Sequence, residues 1–66
     1  MQNLTDNQLL EVYNSDFEYS YIKDNGTIIH TDEELEIVNI DYCISHSDFE
    51  TMFNLKDELI NRGLLI

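Results

Sequence analysis

The spacing of apolar residues changes along this chain, and each change marks an element. Near the start, Thr5 is followed three residues later by Gln8, the reciprocal pair of a capping box, and Leu4 and Leu9 sit where a hydrophobic staple would clamp the incoming chain. Leu9, Leu10 and Tyr13 continue as one short stripe, which predicts a helix over residues 6–14. The period then becomes alternating. Phe17, Tyr19 and Tyr21 alternate with Glu18, Ser20 and Ile22, the pattern of a strand. This run leads to Asn25-Gly26, a pair favoured in two-residue hairpin loops because both central residues of a type I′ turn need positive φ. With that loop, Ile22 faces Ile29 and Tyr21 faces His30. Phe17, Tyr19, Tyr21, Ile28 and His30 then share one sheet face.

Residues 31–36 fit either a helical turn or a strand. Thr31 and Glu34 could form a second capping box, which would start a helix. Against it, Val38, Ile40, Tyr42 and Ile44 alternate with Asn39, Asp41 and Cys43, while Leu35 and Ile37 have the opposite parity. A bulge near Ile37–Val38 reconciles the two phases and predicts a third strand over 35–44, with room for one helical turn before it. The last element has the clearest signals. Ser47 as N-cap with Glu50 three residues on, and Phe49, Met52, Phe53, Leu59 and Ile60 on one stripe, predict a helix reaching Arg62. Glu58 and Arg62 form an i,i+4 pair, and Gly63 suits the left-handed position after a helix, bringing Leu64 onto Leu59. The terminal Leu64-Leu65-Ile66 is expected to pack on the sheet or on a second copy. The order predicts one α+β domain over 1–66: a small three-stranded antiparallel sheet with an N-terminal and a C-terminal helix.

Composition changes the picture. The 66 residues hold 14 acidic and 3 basic side chains, a net charge of -11, yet 42% are apolar. So acidic a chain with few apolar residues would be a solvated tail; here the periodic apolar residues predict a folded body with an anionic coat. Such a body repels bare nucleic acid and attracts proteins that bind nucleic acid. A core this small is marginal, which makes a homodimer the expected assembly. Cys43 stands alone, so no intramolecular disulfide is possible. Residues 1–10 lack the basic and apolar runs of a signal peptide, and no stretch approaches a membrane span, so the chain is expected in the cytoplasm.

Catalytic and metal chemistry find little support. Cys43 and His46 lie three apart, as a nucleophile and base could, and His30 could join them as a third zinc ligand. The plainer reading makes Cys43 a small core residue and His46 a loop residue. The acidic stretch 24–34 does not match an EF-hand loop. Phe17, Tyr19 and Tyr21 resemble a base-stacking platform, but Lys23, Lys56 and Arg62 are too few cations to hold a phosphate backbone. No catalysis, metal or cofactor is expected.

The carboxylates remain. Their number exceeds what solubility asks of a small domain, a net charge of about 2–8 in magnitude. Rows of carboxylates on a rigid body can imitate a phosphate backbone, and Glu34 and Glu36 would stand roughly 6.6 Å apart on a strand. Asp32, Glu33, Glu34, Glu36, Asp48, Glu50, Asp57 and Glu58 are the candidate partner-binding residues.

In size, acidity, single cysteine and sheet-plus-helix plan, the chain resembles the small acidic DNA-mimic proteins with which bacteriophages disarm host DNA-binding proteins. Ser45-His46-Ser47-Asp48-Phe49-Glu50 looks like the start of the acidic helix in phage inhibitors of uracil-DNA glycosylase. The resemblance implies surface carboxylates as phosphate substitutes, with rows of Tyr and Leu forming the core and a dimer seam. It also implies a basic bacterial DNA-binding protein as partner, the nucleoid protein HU being favoured. Two rivals are kept. One is an interaction module that inhibits a host enzyme, such as RNA polymerase, uracil-DNA glycosylase or a CRISPR nuclease, through apolar anchors such as Tyr13, Tyr19 or Phe53. The other is a minimal thiol enzyme using Cys43.

Overall fold

The first helix forms as its capping signals predict. The computed structural model describes residues 3–65. Helix α1 (Asp6–Tyr13) opens with a complete capping box. The Thr5 hydroxyl accepts the Gln8 backbone N–H at 3.1 Å, and the Gln8 side-chain carbonyl accepts the Thr5 N–H at 2.9 Å. Leu4 and Leu9 are both buried, as a staple requires.

Strands β1 (Tyr19–Lys23), β2 (Ile28–Thr31) and β3 (Ile40–Ser45) form an antiparallel sheet with β1 in the middle. The hairpin register differs from expectation by one residue. Ile22 pairs with Ile28 and Tyr21 with Ile29. The loop has three residues, Asp24, Asn25 and Gly26, and within it only Gly26 is left-handed, at φ 89°. The Asn25 side chain accepts the Thr27 N–H at 3.0 Å, a local turn that lets Asn25 keep negative φ. A one-residue slip sends every side chain of the second strand to the opposite face. Ile28 and His30 therefore join Ser20 and Ile22, while Tyr19 and Tyr21 share the other face with Ile29 and Thr31.

The third strand starts later than predicted, at Ile40, and runs one residue further. Its irregularity lies where Ile22 pairs with Tyr42 but Lys23 with Ile40, leaving Asp41 as the extra residue. Residues 32–39 form neither helix nor strand. The Thr31 hydroxyl accepts the N–H of Glu33, so the second capping box does not form. Topology explains this stretch. Both β2 and β3 run antiparallel to β1, so β2 ends at one end of the sheet and β3 begins at the other. The eight residues must travel back along the sheet. Asn39, at φ 64°, makes the final turn, and its carbonyl accepts the Asp24 N–H at 3.0 Å.

Helix α2 (Phe49–Asn61) has Asp48 rather than Ser47 at its N-cap position, and no side-chain hydrogen bond caps it. The Ser47 hydroxyl sits 3.0 Å from that of Ser45, and the Thr51 hydroxyl donates to Asp48 at 2.8 Å. The buried stripe also differs. Leu55 and Leu59 are fully buried and Met52 half-buried, whereas Phe49, Phe53 and Ile60 are 86%, 63% and 50% exposed. At 100° per residue these are two neighbouring stripes, and a helix lying on one layer can bury only one. The C-terminus matches expectation. Gly63, at φ 74°, lets its N–H reach the Ile60 carbonyl at 3.0 Å and that of Leu64 reach Leu59 at 2.9 Å. Arg62 pairs with Glu58 at 2.8 Å and Asp6 at 3.0 Å, and donates to the Leu4 carbonyl at 2.7 Å, tying α2 to the start of α1.

Leu4, Leu9 and Val12 meet Ile22, Ile44, Leu55 and Leu59 in one core, with Leu64 and Leu65 packed against it. Ile66 lies outside the described residues. Both helices therefore cover the Ser20–Ile22–Ile44 face, and the chain is a small α+β fold. Among the described residues no helix is long and apolar enough to cross a membrane.

Candidate anionic partner-binding surface

The crossover covers the face that the helices leave bare. Its hold on the sheet is specific: the Leu35 backbone N–H donates to the Tyr21 hydroxyl at 2.9 Å. Tyr21 is buried beneath it, and the rings of Tyr19 and Tyr21 stack with centroids 6.1 Å apart. Asp32, Glu33, Glu34 and Glu36 all lie on this crossover and all are exposed. Tyr19 to Lys23 spans about 13 Å at ~3.3 Å per residue, and residues 32–39 return over roughly that distance. One DNA strand carries a charge about every 3.4 Å of axis. Charges closer than one Debye length, about 8 Å at physiological salt, add their fields.

The anionic surface continues around the end of the sheet where β1 begins and β2 and β3 finish. The Glu18 N–H donates to Asp32 at 3.1 Å, and the Ser45 hydroxyl donates to the Glu18 carboxylate at 3.2 Å. The Ser47 hydroxyl, helped by Ser45, the Ser47 backbone N–H and the neighbouring His46, holds the Glu18 carboxyl below its ordinary range, against the opposing effect of burial. Burial, and then the carboxylates of Glu34 and Glu18, push the Tyr19 hydroxyl up. A carboxylate from the crossover and one from this end thus act on the same ring. Asp48, at the N-cap position of α2, lies just beyond, its N–H donating to the Ser45 carbonyl at 3.1 Å.

The eight predicted binding residues do not form one row. Glu34 and Glu36 lie on the helix-free side, Asp32 and Asp48 sit at the end of the sheet where β1 begins, and Glu33 is exposed between Asp32 and Glu34. Glu50 and Asp57 are exposed on α2, in the opposite layer, and Glu58 is half-buried against Arg62. Glu33, Glu34, Glu36, Glu50 and Asp57 make no ion pair or side-chain hydrogen bond among the described residues, so their charge stays uncompensated. Glu18 was absent from the candidate residues. Its place beside Asp32, Ser45 and Ser47 comes from strand pairing, and nothing near it in sequence signals that.

A Glu11–His30–Ser20 chain also emerges. The Ser20 hydroxyl is 2.9 Å from His30 Nδ1, and His30 Nε2 is 3.2 Å from Glu11. The order acid, imidazole, hydroxyl is that of a nucleophilic relay. Yet Ser20 has no exposed surface, in the middle of the central strand, so no substrate can reach its oxygen. The network instead ties α1 to the sheet, and Phe17 stacks on the His30 ring at 6.3 Å. Cys43 is exposed, opposite Tyr21 on the helix-free face, and not the small core residue expected. Placing Tyr42 and Ile44 inward turns Cys43 outward. His46 is half-buried, and its Nε2 is buried without a partner among the described residues. No three His, Cys, Asp or Glu side chains among the described residues group to hold a metal ion.

Comparison with protein-family models, with curated proteins and with solved structures finds no match to this chain. What it does must be read from its surface.

Proposed function

We propose that this protein binds the basic nucleic-acid-binding surface of a partner protein and keeps nucleic acid away from it by direct competition, without catalysis or cofactor. The observation that carries this reading is the crossover. It sets Glu34 and Glu36 over the helix-free sheet face, next to exposed Glu33, with Asp32, Glu18 and Asp48 continuing the acids around one end of the sheet. A DNA-binding surface gains affinity by shedding counterions onto phosphates, and closely set carboxylates on a rigid support offer it the same exchange. Nucleoid protein HU is the first partner to test. A fluorescent duplex bound to HU is titrated with the chain at low salt and again at 500 mM. Displacement at low salt that weakens steeply with salt supports the proposal. A duplex that stays bound at a large excess of the chain rejects HU as the partner, and the same result with a panel of basic DNA-binding proteins rejects the function.

A second reading is favoured by the stripe of Phe49, Phe53 and Ile60. With Tyr13, Met52 and Lys56 its first two members border a groove of ≈ 310 Å³ between the helices. Exposed aromatics beside a groove suit a partner held by apolar anchors, including a second copy of this chain. Such binding would persist at 500 mM salt, where the electrostatic mode fails.

A further inference from the structure

The crossover does not lie flat on the sheet. Between them a shallow groove of ≈ 610 Å³ lies wide open to solvent. Its floor is Tyr21, its apolar wall is Ile37, Val38 and Ile40, and Glu34 and Glu36 also line it. The Leu35 N–H bound to the Tyr21 hydroxyl pins one point of the crossover above the strands. Two chemistries therefore meet in one groove, an apolar wall and a pair of carboxylates.

Each candidate occupant can be weighed against that pair. An anion is repelled. A neutral apolar group would strip water from two carboxylates and give them no partner. A cation on a long aliphatic stem satisfies both halves, with the stem on the wall and the head at the carboxylates. Between the two such side chains, arginine fits better. Its planar guanidinium stacks on aromatic rings and presents five N–H donors in a fixed fork, enough to engage two carboxylates together. Among the described residues no ion pair engages Glu34 or Glu36. Lys23 shares the sheet face but forms no ion pair with either glutamate among the described residues. We propose that the groove between residues 34–40 and Tyr21 is a receptor for an arginine side chain projecting from the basic partner. The proposal rests on the reading above for the identity of the partner, and it names the single residue type that the crossover grips.

The test uses the intact chain labelled with ¹⁵N and two probes, Nα-acetyl-arginine methylamide and its neutral isostere, the citrulline derivative, each titrated at low salt. Arginine is expected to move the amide signals of residues 34–38, Tyr21 and Cys43 most, and to bind at least about fivefold more tightly than citrulline. Glu34→Gln with Glu36→Gln should lower arginine to the citrulline level. The charge-matched pair Glu50→Gln with Asp57→Asn should leave it within about twofold. All four residues are exposed, so these variants keep the core. Equal affinity for the two probes overturns the proposal, as does an equal loss in the α2 pair, since either reduces binding to general attraction by a charged body. The outcome is separable from the DNA competition. Arginine selectivity in a chain that displaces no DNA keeps the groove and discards the partner. Displacement without arginine selectivity discards the groove alone.

Discussion

Single residues hold the turns that aim the anionic surface. Gly26 is left-handed, and a Cβ there would stand 3.6 Å from the Gln8 side-chain nitrogen. Space is adequate, so the strain of an alanine would come from its φ alone. Gly26→Ala should cost about 1–2 kcal/mol in urea unfolding; Gly26→Asn, which tolerates that region, should cost less. Equal losses in the two would contradict this account of the turn. Glu18 makes a pH-dependent contribution. Its folded carboxyl is held below the ordinary value of 4.5, so its contribution is complete above that range and is lost as pH falls through the lower folded value. Repulsion within so acidic a chain weakens over the same interval, so a difference between two proteins is the cleaner readout. The stability gap between the native chain and Glu18→Gln should be widest near neutrality and close as acid protonates the folded carboxyl. A gap independent of pH would mean that the Ser47 and Ser45 hydroxyls hold Glu18 no better than an amide.

Each element shows a different balance between local signal and tertiary context. In α2, Leu55→Ala should cost about 2–5 kcal/mol, a large part of the total stability of a chain this short, because Leu55 has no exposed surface. Phe53→Ala should stay within about 0.5 kcal/mol, because most of the Phe53 surface already faces water. A Phe53 loss as large as that of Leu55 in chemical denaturation of the monomer would reverse the assignment of the two stripes. Sequence periodicity placed Phe53 inward and overlooked Leu55, since two adjacent stripes of similar apolarity compete and only the layer beneath decides. Local chemistry was legible elsewhere. The Thr5–Gln8 box, the Gly63 stop and the Glu58–Arg62 pair depend on residues at most five apart, and each forms as its residues dictate. The hairpin was legible as a hairpin but not in register, because Asn25-Gly26 serves a two-residue loop and a three-residue loop alike. The choice moved Ile28 and His30 to the core side and left Tyr19 and Tyr21 beneath the crossover. Residues 32–39 were the least legible. Their apolar alternation suggested a strand, but the need to return along the sheet made them a connection.

For the whole molecule, sheet topology decides which carboxylates share a side. The helical layer takes the apolar core, the Arg62 bridges and the acids Asp6, Glu11, Glu50, Asp57 and Glu58, and the opposite side receives Glu34 and Glu36 from the crossover. Counting acids along the sequence exposed the excess but not the sorting, since the split between Glu34 and Glu36 on one side and Glu50 and Asp57 on the other depends on which sheet face the helices cover. The proposed function is a claim about that sorted side, and two variants of equal charge separate it from mere acidity. One replaces Glu33, Glu34 and Glu36 with Gln; the other replaces Glu11 and Glu50 with Gln and Asp57 with Asn, all three on the helices. The most direct measurement is the affinity of each for HU across a salt series. The crossover variant should bind at least about tenfold more weakly and lose up to about three units of salt slope, while the second variant retains most of both. If the crossover variant stays within about twofold of the native chain, or the two variants weaken alike, the crossover is not the phosphate-like surface and the account fails.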